Sequence, residues 1–175
     1  MTDALTTYKL IILYMLEKVD FPLTNSQVSE FILDKGYTTY FTLQRAINEL
    51  TEAEFIKVRQ VRNSSHYSIT GSGRETLEYF GKNIPEAMRK DVDLFLQEHH
   101  YQLRNENETV ADYYQEKPDL FIVNCEIREG THKLVSVSLS VTTKEQAVAI
   151  CDNWQKHNAD VYTYLIQTLM LGTKA

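Results

Sequence analysis

The sequence predicts an α+β fold on the strength of three observations. Two helices announce their starts with capping boxes, Thr24 with Gln27 and Thr143 with Gln146. Residues 55–69 read as two short strands around a polar turn, with Ile56 and Val58 alternating against Lys57 and Arg59. Farther along, Val135, Val137, Leu139 and Val141 alternate against Ser136, Ser138 and Ser140, the pattern of a half-buried strand.

A first helix is expected from about Asp3 to Val19, because Leu5, Tyr8, Ile12, Met15 and Leu16 recur at helical spacing. Phe21-Pro22 ends it. The second helix starts at Thr24, with Leu23 and Val28 at the hydrophobic-staple positions. It buries Val28, Phe31 and Ile32 and stops at Gly36. A third begins near Thr38 or Thr39 and runs to about Ala53. Leu43, Ile47 and Leu50 lie on one side of it, and Phe41, Thr42, Arg45, Asn48, Glu49 and Glu52 on the other. Phe41 is the odd residue there: it either touches DNA or a partner, or belongs to the core, and the core is favoured. The hairpin then turns through Arg62-Asn63-Ser64-Ser65-His66, and Thr70 caps a helix holding Leu77, Tyr79 and Phe80. Helix, turn, helix and basic hairpin, in that order, describe a winged helix-turn-helix.

Around Gly81 to Pro85 the character changes, which places a boundary between residues 1–82 and residues 83–175. Pro85 suits the first turn of a helix that follows Met88, Val92, Phe95, Leu96 and His99 to about Leu103. Beyond the polar stretch Arg104 to Glu108 come three strands: Val110 to Gln115 (the weakest), Leu120 to Ile127, and Leu134 to Val141. Arg128-Glu129-Gly130-Thr131 has the composition of a hairpin link between the last two. The helix from Thr143 buries Ala147, Ile150, Cys151 and Trp154, and Ala159 to Leu171 is expected to be helix rather than strand. The second half is thus a small three-stranded antiparallel sheet with helices, suited to dimerisation or to a small-molecule effector. The helix from Pro85 to Leu103 is an equal candidate for a dimer seam.

Several function classes find no support. No apolar run approaches the roughly 18 residues of a membrane span, and Met1-Thr2-Asp3-Ala4 lacks the basic-then-apolar layout of a secretory signal. Two cysteines, Cys125 and Cys151, stand on apolar faces without metal-ligand spacing, so a reducing, cytoplasmic setting is expected. His99 and His100 are adjacent and diverge on a helix, and His132 and His157 have no ligand spacing with either cysteine. Glycine-rich phosphate loop, nucleophile elbow and zincin motif are all missing from the sequence. No enzymatic activity and no cofactor are therefore expected.

Charge points elsewhere. The net charge is −6, yet Gly36 to Asn48 holds no acid and one Arg. From Lys57 to Arg74 there are four basic residues and no acid. The acids Asp91, Asp93, Glu98, Glu106, Glu108, Asp112, Glu116 and Asp119 all follow the hairpin. Nucleic-acid binding needs a local basic footprint rather than a basic total.

Residues 5–80 resemble bacterial winged-helix transcription regulators of the PadR and MarR kind. Leu50-Thr51-Glu52-Ala53-Glu54-Phe55-Ile56 resembles the end of their recognition helix and the first wing strand. Tyr67-Ser68-Ile69-Thr70-Gly71-Ser72-Gly73, with Leu77 four residues on, resembles their second wing strand entering a helix. Departures are specific: Glu54 replaces the usual glycine before the wing, the Asp-x-Arg wing is absent, and so is the aromatic-proline pair of PadR recognition helices.

The expected partner is double-stranded DNA, bound by a homodimer with no membrane association. Arg45 would contact guanine, Asn48 or Gln44 adenine, and Thr42 a base edge or a thymine methyl. Thr39 and Tyr40 would contact phosphate at the helix start, with Thr38 beside them. From the wing, Arg59, Arg62, Asn63, Ser64 and His66 would hold the backbone. The competing expectation is a winged-helix protein-interaction module without DNA binding, suggested by Glu49, Glu52 and Glu54 near the reading helix.

Overall fold

Thr24 begins the helix around which the N-terminal half is organised. Its hydroxyl accepts the Gln27 amide hydrogen at 3.1 Å, and the Gln27 side chain accepts the Thr24 N–H at 2.9 Å. In the computed structural model, which describes residues 3–130 and 132–172, the chain is α+β. Among those residues there are six α-helices and two antiparallel three-stranded sheets, divided between two compact units with the boundary between Asn107 and Glu108. No described helix is long and apolar enough to cross a membrane.

The first unit contains α1 (Ala4–Glu17), β1 (Leu23–Thr24), α2 (Asn25–Asp34), α3 (Tyr40–Glu52), β2 (Ile56–Val61), β3 (Ser64–Ile69), α4 (Gly71–Phe80) and all but the last residue of α5 (Glu86–Glu108). Its sheet runs β1-β3-β2, so β3 is central. The helices bury one continuous core that includes Ile11, Leu13 and Met15 of α1, Val28, Phe31 and Ile32 of α2, and Leu43, Ile47 and Leu50 of α3. At about 25 cal/mol per Å² of apolar surface, each such side chain contributes roughly 1.5–3 kcal/mol.

Two features differ from the sequence-based expectation. The unit boundary lies past Asn107 rather than after residue 82, because α5 puts Val92, Leu96 and Leu103 into the same core as α1–α3. Tyr14 also donates to Asp93 at 2.8 Å, and Tyr37 donates to Asp91. Arg104 to Glu108 is accordingly the last turn of α5, which continues past the expected end near Leu103.

Glu54 does occupy the left-handed region, with φ 61°. For a residue with a Cβ this costs roughly 1–2 kcal/mol, and Thr70, at the far end of the hairpin, holds it there. Thr70 donates its hydroxyl to the Glu54 carbonyl at 2.7 Å and its N–H to the Phe55 carbonyl at 3.1 Å, while its oxygen caps α4 by accepting from Gly73 N–H at 3.1 Å. One threonine thus ties the start of β2 to the start of α4.

The second unit is a meander, β4 (Thr109–Lys117), β5 (Leu120–Glu129) and β6 (His132–Val141), followed by α6 (Lys144–Met170). All three expected strands form, and the tail continues α6 as helix. Of the expected hairpin link, Thr131 lies outside the described residues. Ala147, Cys151 and Trp154 of α6 pack on Ala111, Val123 and Cys125 of the sheet. Trp154 donates to the Glu126 carbonyl at 3.2 Å, which fixes the indole edge of this core.

Candidate nucleic-acid interface

The candidate interface is built from α3 and the β2–β3 hairpin, both in the first unit. Thr39 caps α3, accepting the Thr42 amide hydrogen at 3.3 Å, and the first turn carries no acid. Leu43, Ala46, Ile47 and Leu50 face the core, which turns Phe41, Arg45 and Asn48 outward at spacings of four and three. Their side chains therefore share one exposed stripe.

Arg45 is held in place on that stripe. Its Nε donates to Glu49 Oε1 at 3.0 Å, and Glu49 also pairs with Lys9 of α1. Lys9 first, and Arg45 second, hold the Glu49 carboxyl below its usual range. Because the pair uses Nε, the two Nη groups are not engaged by it; 70% of the Arg45 side chain is open to solvent. Glu49 thus orients the guanidinium as well as opposing its charge.

Asn25 fixes where the first turns of α3 lie. Its Oδ1 accepts from Gln44 of α3 at 3.0 Å and from the Tyr67 hydroxyl of β3 at 3.1 Å. Gln44 is half-buried and already engaged, so it is not among the outward readers expected from the sequence. Tyr67 pairs with Val58 across the sheet, which brings the beginning of α3 beside the hairpin.

The hairpin turn is shorter than expected. Val61 pairs with Ser64, leaving Arg62-Asn63 as a two-residue turn with Arg62 at φ 55°. Such turns match the strand twist when a central residue takes positive φ. Arg59, Arg62, Asn63 and Ser64 are exposed, as are Lys57 and Gln60. Arg74 instead pairs with Glu17 at 2.8 Å.

His66 does not belong to this surface. It lies in the central strand between Thr24 and Arg59, only 7% exposed. Its Nδ1 faces Asn107 Oδ1 at 3.1 Å, and Asn107 Nδ2 donates to Gln27 Oε1 and to the Leu103 carbonyl, each at 2.8 Å. Burial lowers its pKa, Arg59 lowers it further, and the Asn107 bond opposes both. The folded state then binds fewer protons than the unfolded chain, whose imidazole titrates near 6.5. The resulting stability is present above 6.5 and lost as the pH falls through that value towards the lower folded pKa. Urea midpoints should therefore hold steady down to about pH 7 and then drop, with His66→Gln flattening the drop. An equal drop in that variant would refute the role.

Phe41 also corrects an expectation. It is 87% exposed rather than core, with Tyr40 beside it at 51%. Behind α3, a cleft of about 250 Å³ between α1, α3 and α4 is lined by Leu10, Leu13, Leu50, Phe55 and Phe80, with Lys9 and Glu49 among its walls. Among the described residues no three His, Cys, Asp or Glu side chains are grouped to hold a metal ion.

These features define a two-unit α+β protein whose first unit carries an exposed polar helix stripe next to a basic hairpin. The chain belongs to the family described as a domain of unknown function, DUF4364, which matches residues 8–169. No curated protein and no solved structure matches it.

Proposed function

We propose that the protein is a sequence-specific DNA-binding transcription regulator, a winged helix acting in the cytoplasm as a homodimer. The observation that carries this reading is the shared stripe of Arg45 and Asn48 in the same unit as exposed Arg59 and Arg62. The element order α1–β1–α2–α3–β2–β3, with β3 central, supports it as the order of a winged helix. In this reading α3 enters the major groove, Arg45 and Asn48 meet base edges, and Thr39, Tyr40 and Thr42 serve the backbone and edges at its start. Arg59, Arg62, Asn63 and Ser64 hold phosphates from the wing. A small-molecule effector would act by changing the spacing of the two reading helices.

The test is the salt dependence of binding by the full chain to duplex DNA. Neutralising three or more phosphates gives a log–log slope of about −3 or steeper. A flat dependence on both random and genomic DNA would overturn the proposal. The second reading, a protein-interaction module, is favoured by one observation, the bare aromatic pair Tyr40 and Phe41.

A further inference from the structure

We infer that Phe41 reads the 5-methyl group of a thymine, which makes this protein selective for a methyl-bearing pyrimidine about two base steps from the base contacted by Arg45. The inference rests on the DNA-binding reading and adds to it the chemistry of one base. Phe41 is 87% exposed in the second position of α3. A phenyl ring this open gains nothing from the fold: the α3 core is closed by Leu43, Ala46, Ile47 and Leu50 without it. What it offers is apolar area for a partner.

The neighbours of the ring identify that partner. Arg45 follows four residues on and Asn48 seven, so the phenyl ring, a guanidinium and an amide occupy one stripe. A protein surface that met the ring alone would be apolar, but this stripe asks for an isolated apolar group bordered by hydrogen-bond acceptors and negative charge. The major groove presents that combination at thymine, whose methyl projects beside the acceptor edges of neighbouring purines. Spacing agrees. At 1.5 Å per residue Phe41 lies roughly 6 Å along the helix from Arg45, close to two base steps of about 3.4 Å.

Uracil supplies the test, since replacing thymine by uracil removes the methyl and leaves every hydrogen-bonding group. Sites are selected from random duplex by the full chain, and each thymine is then exchanged singly for uracil. The wild type should lose about fourfold in affinity at one position per half-site, the worth of one buried methyl. Phe41→Ala should bind the thymine and uracil duplexes alike, whereas Phe41→Leu should keep part of the difference. Arg45→Ala should keep the uracil penalty while relaxing specificity two or three base pairs away. The inference is overturned if no thymine is sensitive, or if Phe41→Ala retains the full penalty. It is equally overturned if Phe41→Ala leaves DNA binding intact but changes the oligomeric mass in solution, which would make the ring a protein contact. Selection that enriches no sequence, with binding indifferent to salt, overturns the DNA-binding reading itself and is recognised before any uracil is introduced.

Discussion

Replacing Arg45, Arg59 and Arg62 together with Ala should weaken DNA binding by on the order of a thousandfold at about 0.1 M salt. The magnitude has two sources. Each wing arginine that neutralises a phosphate contributes a slope of about −0.9 and close to a factor of ten at that salt. In the proposed reading Arg45 meets a base edge, which adds roughly 1–3 kcal/mol of discrimination. The variant's slope should accordingly be shallower by about two, which separates the electrostatic loss from the readout loss. All three side chains are exposed, and an unchanged circular dichroism spectrum of the variant checks that the fold survives their removal. Arg45 alone should relax sequence preference with little change of slope, whereas Arg59 and Arg62 together should lower affinity for every duplex. Undiminished retention by the triple variant would leave the protein-interaction reading standing.

Gly73 is the site of the second large effect. A Cβ built there would stand 2.2 Å from the Phe55 carbonyl oxygen and 2.8 Å from Ile69 Cγ1. The carbonyl cannot retreat, because it accepts the Thr70 N–H, and Thr70 in turn holds the strained Glu54. Gly73→Ala should therefore destabilise the first unit by about 3 kcal/mol and lower its thermal midpoint by more than about 10 °C. Gly71, two residues earlier, has nothing within 4 Å of the equivalent position, and Gly71→Ala should leave the midpoint nearly unchanged. Urea melts of both variants decide the matter: equal midpoints would mean that α4 has room to move away from β2.

Local chemistry is what the sequence makes legible. The capping boxes at Thr24 and Thr143 both form, since each needs only four consecutive residues. Alternation in Leu134 to Val141 and the helical stripe of α3 likewise become a strand and a buried face. The strain at Glu54 is legible too, from the glycine it replaces. Misreadings arise where burial is polar or tertiary. Asn107 is 5% exposed, yet its polarity, with that of its neighbours, makes α5 read as ending near Leu103. His66 sits in a central strand covered on the α5 side, a consequence of sheet order that no single strand reveals. Gln44 has the character of a reader, but Asn25, nineteen residues earlier, holds it. Phe41 suggests core because phenyl rings usually belong there, and nothing in the local pattern outweighs that tendency.

Both thiols of the chain lie in the second unit, on facing elements of one small core. Cys125 and Cys151 are 1% and 0% exposed, and burial pushes the Cys125 thiol up to about 11. A pulse of alkylating reagent at neutral pH therefore finds neither sulfur while the meander stays closed, and finds both once it opens. Sulfhydryl labelling thereby becomes a clock for the opening of the C-terminal unit.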